Sequence, residues 1–141
     1  MPLLGQVLEQ YPREVKVVFK NFPLSMHEFA APAAVAAMAA HKQGKFWPYH
    51  DKLFANSSSL SEKTLQEIAA VLQLNKAQFE ADRKDPALQA IVNRDLQDGL
   101  KAEVPGVPSI FINGRLLKDR SLQGFRDLID KELQKASQPL Q

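Results

Sequence analysis

Val104-Pro105-Gly106-Val107-Pro108-Ser109-Ile110-Phe111-Ile112-Asn113-Gly114-Arg115 is the stretch whose reading decides the fold. Two prolines around a glycine make a turn, and Ser109–Ile112 then reads as a short β-strand. Asn113-Gly114 is the strongest short hairpin signal, because both central positions of a type I′ turn need positive φ. Arg115-Leu116-Leu117-Lys118 is therefore expected to return as the second strand.

Helices flank this hairpin. Downstream, Ser121 is a natural N-cap for a helix that turns Leu122, Phe125, Leu128, Ile129 and Leu133 inward. Upstream, Asp85-Pro86 sets a capping carboxylate before a proline at the first helical position. The face Leu88, Ile91, Val92, Leu96 follows and stops near Gly99. Asn75 caps a shorter helix carrying Phe79, and Ser61 caps one carrying Leu65, Ile68 and Leu72. Ser57–Ser59 reads as a loop. Phe46, Trp47, His50, Leu53 and Phe54 form an aromatic helix face, and an Ala-rich helix is expected from about His27 to Ala40. Val15–Lys20 is β-branched, partly alternating, and reads as a strand ended by Asn21-Phe22-Pro23. Residues 2–10 carry Leu3, Leu4, Val7 and Leu8 at helical spacing. This helix starts at once, with no capping residue before it, so the chain is expected to be N-terminally truncated.

Composition narrows the function. The chain has 141 residues, 45% hydrophobic and 24% charged, enough for one globular domain with a sizeable core. A net charge of +2 and no Lys/Arg stripe give no electrostatic case for nucleic acid. No apolar run approaches the roughly 20 residues of a membrane span, and MPLLGQVLEQYPREV does not read as a signal peptide. There is no cysteine, which excludes a disulfide framework, a Cys-based metal site and a cysteine nucleophile within this chain. No Gly-x-Ser-x-Gly elbow, phosphate loop or carboxylate pair is present.

Three segments in order resemble the DsbA-like proteins of the thioredoxin superfamily. FKNFPL with His27 and the Ala-rich helix resembles the segment after that family's first helix. GKFWPYHDKLF (44–54) resembles the start of its helical insertion. VPGVPSIFINGR (104–115) resembles its cis-proline loop, strand and turn. The resemblance implies an α/β, thioredoxin-like fold in one domain over 1–141, with a helical insertion at about 27–101. In that family a central strand leads into a Cys-x-x-Cys motif that opens the first helix. Here Met1–Leu4 falls a few residues inside that helix, so the strand and both cysteines are expected upstream, and no position inherits the catalytic role. Thiol–disulfide exchange needs a thiolate; Met1, Met26 and Met38 can be oxidised but do not relay disulfides. The resemblance also implies a periplasmic or otherwise exported setting for the full-length protein.

The resemblance makes Val107 and Pro108 the substrate-facing residues. Around a cis Val107–Pro108 bond, the residue before the proline turns its N–H and C=O outward, and an extended peptide or protein substrate pairs with them as an added strand. A cis bond is feasible because the trans preference before proline is only about 0.5–1 kcal/mol. On the residues alone, Pro105 and Pro108 shape an ordinary trans turn. His27, His41 and His50 are read as structural, His41 at a helix C-terminus and His50 packed among aromatics, with no metal site or cofactor expected. Trp47, Phe46 and Phe54 are read as core rather than groove.

Two functions follow. One is a DsbA-like thiol–disulfide oxidoreductase or isomerase by resemblance, redox-inactive as this chain. The other is a non-catalytic thioredoxin-like module that binds peptides or a partner. The resemblance places the missing central strand between Val15–Lys20 and Ser109–Ile112; its absence is expected to leave Val17, Phe19, Ile110 and Ile112 exposed, so a homo-oligomer is expected, with these strands or the N-terminal helix at its interface.

Overall fold

The computed structural model describes residues 2–138. In chain order it contains helices α1 (Pro2–Gln10), α2 (Ala30–Lys42) and α3 (Phe46–Ala55), a 3₁₀ turn (Ser57–Ser59), and helices α4 (Glu62–Val71), α5 (Lys76–Arg83) and α6 (Pro86–Lys101). Strands β1 (Phe111–Ile112) and β2 (Arg115–Leu116) and helix α7 (Leu122–Ala136) follow. The chain divides into two compact units. One is built from the chain up to Phe19 and from Val104 onward, the other from Lys20–Glu103.

In the first unit α1 and the hairpin pack on α7. Val7, Leu117, Phe125 and Ile129 are buried together, with Leu3, Leu4, Ile110 and Ile112 packed against them. β1 and β2 are antiparallel, pairing Phe111 with Leu116 and Ile112 with Arg115. The Leu117 N–H donates to the Ile110 carbonyl at 2.8 Å and continues the ladder by one step. The turn forms at Asn113-Gly114 with φ of 47° and 79°, the left-handed pair that a type I′ connection requires.

Three expectations about the sheet are corrected. Val15–Lys20 forms no strand, and among the described residues the sheet has only β1 and β2. A strand exists through its neighbour's hydrogen bonds, so β-branched alternation alone does not make one. The return strand is Arg115–Leu116, shorter than expected, because Leu117 turns into the core. Ile110 and Ile112 are also not the exposed residues: they face the α1–α7 core, and alternation puts Phe111 outside, 41% exposed. In the 15–20 segment Val18 is exposed at 64% and Phe19 at 39%, while Val17 is half-buried.

The second unit is helical. α2 packs against α3, α5 and α6. Ala36, Ala39 and Ala40 are fully buried, and their small side chains let those helices approach closely. Its larger core residues are Tyr49, Leu65, Ile68, Phe79 and Leu88. Helix starts are fixed by the expected caps. Ser61 Oγ accepts from the Thr64 N–H, Asn75 Oδ1 from Gln78, Asp85 Oδ1 from Ala87 and, in the first unit, Ser121 Oγ from Gly124. α2 begins at Ala30 rather than His27, after turns over 25–29. Arg83 joins α5 to α4 by two hydrogen bonds to the Glu62 carboxylate, 2.6 and 2.7 Å, with its guanidinium over the Phe79 ring. Among the described residues no helix is long and apolar enough to cross a membrane.

Candidate functional site

The segment 104–110 runs from the end of α6 into β1. The Val107–Pro108 peptide bond is cis. Two side chains hold the loop. Ser109 Oγ donates to the Gly106 carbonyl at 2.5 Å, closing a tight turn around Val107 and Pro108. Arg120, twelve residues on, donates from Nη1 to the Pro108 carbonyl at 3.1 Å. Val107 projects outward, 49% exposed. Among the described residues neither its N–H nor its C=O has a hydrogen-bond partner. An unpartnered peptide unit at an exposed residue has one donor and one acceptor to offer an extended chain.

The platform beneath the loop is rigid. Ile110 is packed into the α1–α7 core. Arg115 Nε pairs with Glu132 on α7 at 2.8 Å, tying β2 down. Lys135, with Arg115 beyond it, holds the Glu132 carboxyl below the usual carboxylate range. Before α7, the Ser121 N–H donates to Asp119 Oδ1 at 2.9 Å and lowers the Asp119 carboxyl in the same sense. Ser121 in turn caps α7, so the stretch that carries Arg120 is fixed at its C-terminal end.

The structure brings Val107 and Pro108 together with Ser109 and Arg120, and sequence reasoning missed the last two. Ser109 carried a signal, since a serine directly after a turn readily bonds a carbonyl three residues back. Arg120 carried none, because its partner lies outside any local pattern. The histidines are scattered. His41 is exposed in the last turn of α2, and His27 lies in the turns before that helix. His50 is buried on α3, its Nδ1 3.1 Å from Asp51 Oδ1. Among the described residues no group of three or more His, Asp or Glu converges where a metal ion could sit.

The aromatic face of α3 is corrected for two of its three residues, since Phe46 does pack against the core. Trp47 is 44% exposed and Phe54 66%. The aromatic that fills the core is Tyr49, whose hydroxyl donates to the Leu65 carbonyl at 2.9 Å. Burial pushes its phenol far above the ordinary range.

A two-stranded hairpin between helices, a loop ending in a cis-proline and an all-helical unit between α1 and the hairpin define a thioredoxin-like α/β fold with a helical insertion. Comparison with known proteins agrees. The thioredoxin family profile matches residues 2–131. A thioredoxin-like oxidoreductase from Silicibacter pomeroyi has the same fold, with a TM-score of 0.78 at 24% identity over 97% of this chain and 78% of that one. Probable disulfide bond formation protein D of Bacillus cereus is 28% identical over 94% of this chain and 66% of its own length. Na(+)/H(+) antiporter NhaA 3 of Salinispora tropica is 33% identical over 81% of this chain. This chain spans under a fifth of the antiporters' length, 18% in that case. The chain belongs to the thioredoxin family.

Proposed function

We propose that this chain binds extended peptide or protein segments at the Val107–Pro108 loop and is redox-inactive by itself. The observation that carries the first half is the exposed Val107, whose peptide groups have no partner among the described residues, between the bonds of Ser109 to Gly106 and Arg120 to Pro108. The second half rests on the absence of any cysteine from residues 1–141. Disulfide exchange transfers two electrons through a mixed disulfide and needs an attacking thiolate. Any dithiol acting with this chain therefore comes from outside it. The family supports a thiol–disulfide oxidoreductase or isomerase lineage, of which this chain supplies substrate contact and not electron transfer.

On this reading residues 1–141 work as one domain, with the helices at about 27–101 as its insertion. The chain self-associates through apolar residues of the first unit, of which Val18 and Phe111 are exposed.

The test is an amide titration of the ¹⁵N-labelled chain with a blocked hexapeptide, acetyl-Gly-Thr-Val-Gln-Ser-Gly-amide. Shifts centred on residues 104–110 are expected. Saturable shifts confined to the exposed α3 aromatics, or no shifts, overturn the assignment of the loop.

A further inference from the structure

We propose that Arg120 makes the Val107 loop selective for acidic peptides, by meeting the carboxylate of a residue next to the one paired with Val107. This rests on the reading of Val107 as the peptide-pairing residue.

The argument is one of position and charge. Arg120 is exposed, yet it is anchored, because Nη1 is held on the Pro108 carbonyl. Its guanidinium therefore lies one residue from the peptide unit of Val107. An extended peptide advances about 3.3 Å per residue, so a side chain one or two positions from the pairing point passes within reach of that fork. A guanidinium carries five N–H donors in a planar fork suited to a carboxylate. Among the described residues the only hydrogen bond it makes is the one to Pro108.

The neighbouring carboxylates are committed elsewhere. Asp119 accepts from the Ser121 N–H. On α7, Asp127 accepts from Gln123, Asp130 from the Tyr11 hydroxyl, and Glu132 is paired with Arg115 and Lys135. Among the described residues no carboxylate forms an ion pair with Arg120, and Lys118, also exposed, adds a second positive charge two residues away. A positive charge without a partner, beside an open backbone pairing site, favours an acidic strand and disfavours a basic one.

The test uses the full chain and three blocked hexapeptides that differ at one position, acetyl-Gly-Thr-Val-Xaa-Ser-Gly-amide with Glu, Gln or Lys as Xaa. Affinities are read from the amide shifts of residues 104–110. The Glu peptide is expected to bind more tightly than the Gln peptide by up to about fivefold, the upper end for a solvent-exposed ion pair, and the Lys peptide most weakly. Raising the salt narrows the spread. Arg120→Gln, which removes the charge, abolishes the spread among the three peptides, whatever it does to the affinity they share. Arg120→Lys keeps the charge and retains a preference. Equal binding of the three peptides, or a preference that survives Arg120→Gln, overturns this inference and leaves the peptide site standing. Failure of all three to move residues 104–110 overturns the peptide site and the inference with it.

Discussion

The Asp95 carboxylate on α6 accepts both the main-chain N–H and the side-chain amide of Asn21, at 3.1 and 2.8 Å. Both residues are buried, and Lys20 adds its ammonium at 3.2 Å. One side chain thus satisfies two donors of Asn21, in a segment, Asn21-Phe22-Pro23, without regular secondary structure.

Asp95→Ala strands two buried donors of Asn21. Leaving such groups unpaired costs about 1–3 kcal/mol each, so the variant is expected to be less stable by about 2–6 kcal/mol in denaturant melts. Burial pushes the Asp95 carboxyl up, but the two Asn21 donors and Lys20 together outweigh it and hold it below 3.8. A carboxyl lowered in the folded state contributes its stability at neutral pH and loses it as pH falls through that lowered value. The gap between wild type and Asp95→Ala is therefore expected to be widest at neutral pH and to close in strong acid. A gap that stays constant down to strong acid contradicts this account of the ion pair.

Gly124 lies at the start of α7, where an added Cβ meets the main-chain oxygen and side-chain carbons of Asp119. Alanine gains about 1 kcal/mol of helix propensity over glycine. Overpacking against an atom that cannot move costs about 1–3 kcal/mol. The nearest atom is a main-chain oxygen, and the Asp119 side chain is held by the Ser121 N–H on its Oδ1, so the clash wins. Gly124→Ala is expected to lower the Tm by several degrees in a calorimetric scan; a raised Tm means that the Asp119 turn gives way.

In an insulin reduction assay the purified chain is expected to give no turnover above the dithiothreitol background, since it holds no thiol. Turnover that scales with the chain's concentration after removal of contaminating thiols contradicts the redox half of the proposal.

Self-association is checked by sedimentation equilibrium. Val18, Phe111 and Leu116 are exposed in the first unit at 64%, 41% and 39%, and a dimer or larger oligomer is expected at micromolar concentration. Phe111→Glu is expected to shift the equilibrium toward monomer. A wild-type chain that is monomeric across that range refutes the proposed self-association.

The sequence was most legible where a local rule acts. The caps Ser61, Asn75, Asp85 and Ser121 and the Asn113-Gly114 turn each depend on residues within a few positions, and each lies where its spacing places it. Legibility fails where a distant partner decides. Val15–Lys20 has the composition of a strand without a neighbour to pair with it in the two-stranded sheet. α3 carries aromatics on several sides, and the choice of Tyr49 over Trp47 and Phe54 for the core is made by α2 and α4 and by the Leu65 carbonyl sixteen residues away. At the site, Val107 and Pro108 were read through a family resemblance, while Arg120 reaches its partner across the hairpin and left no trace in its neighbourhood.

The most direct test of the central claim is the solvent-exchange rate of one amide, the N–H of Val107, measured by NMR in the free chain and at saturation with acetyl-Gly-Thr-Val-Gln-Ser-Gly-amide. In the free chain this N–H has no partner among the described residues and belongs to a half-exposed residue, so it is expected to exchange quickly. A peptide that adds as a strand takes that N–H as a donor, and its exchange is expected to slow by at least about tenfold, the effect of a bound state closed nine-tenths of the time or more. An exchange rate unchanged at saturation contradicts strand pairing at Val107.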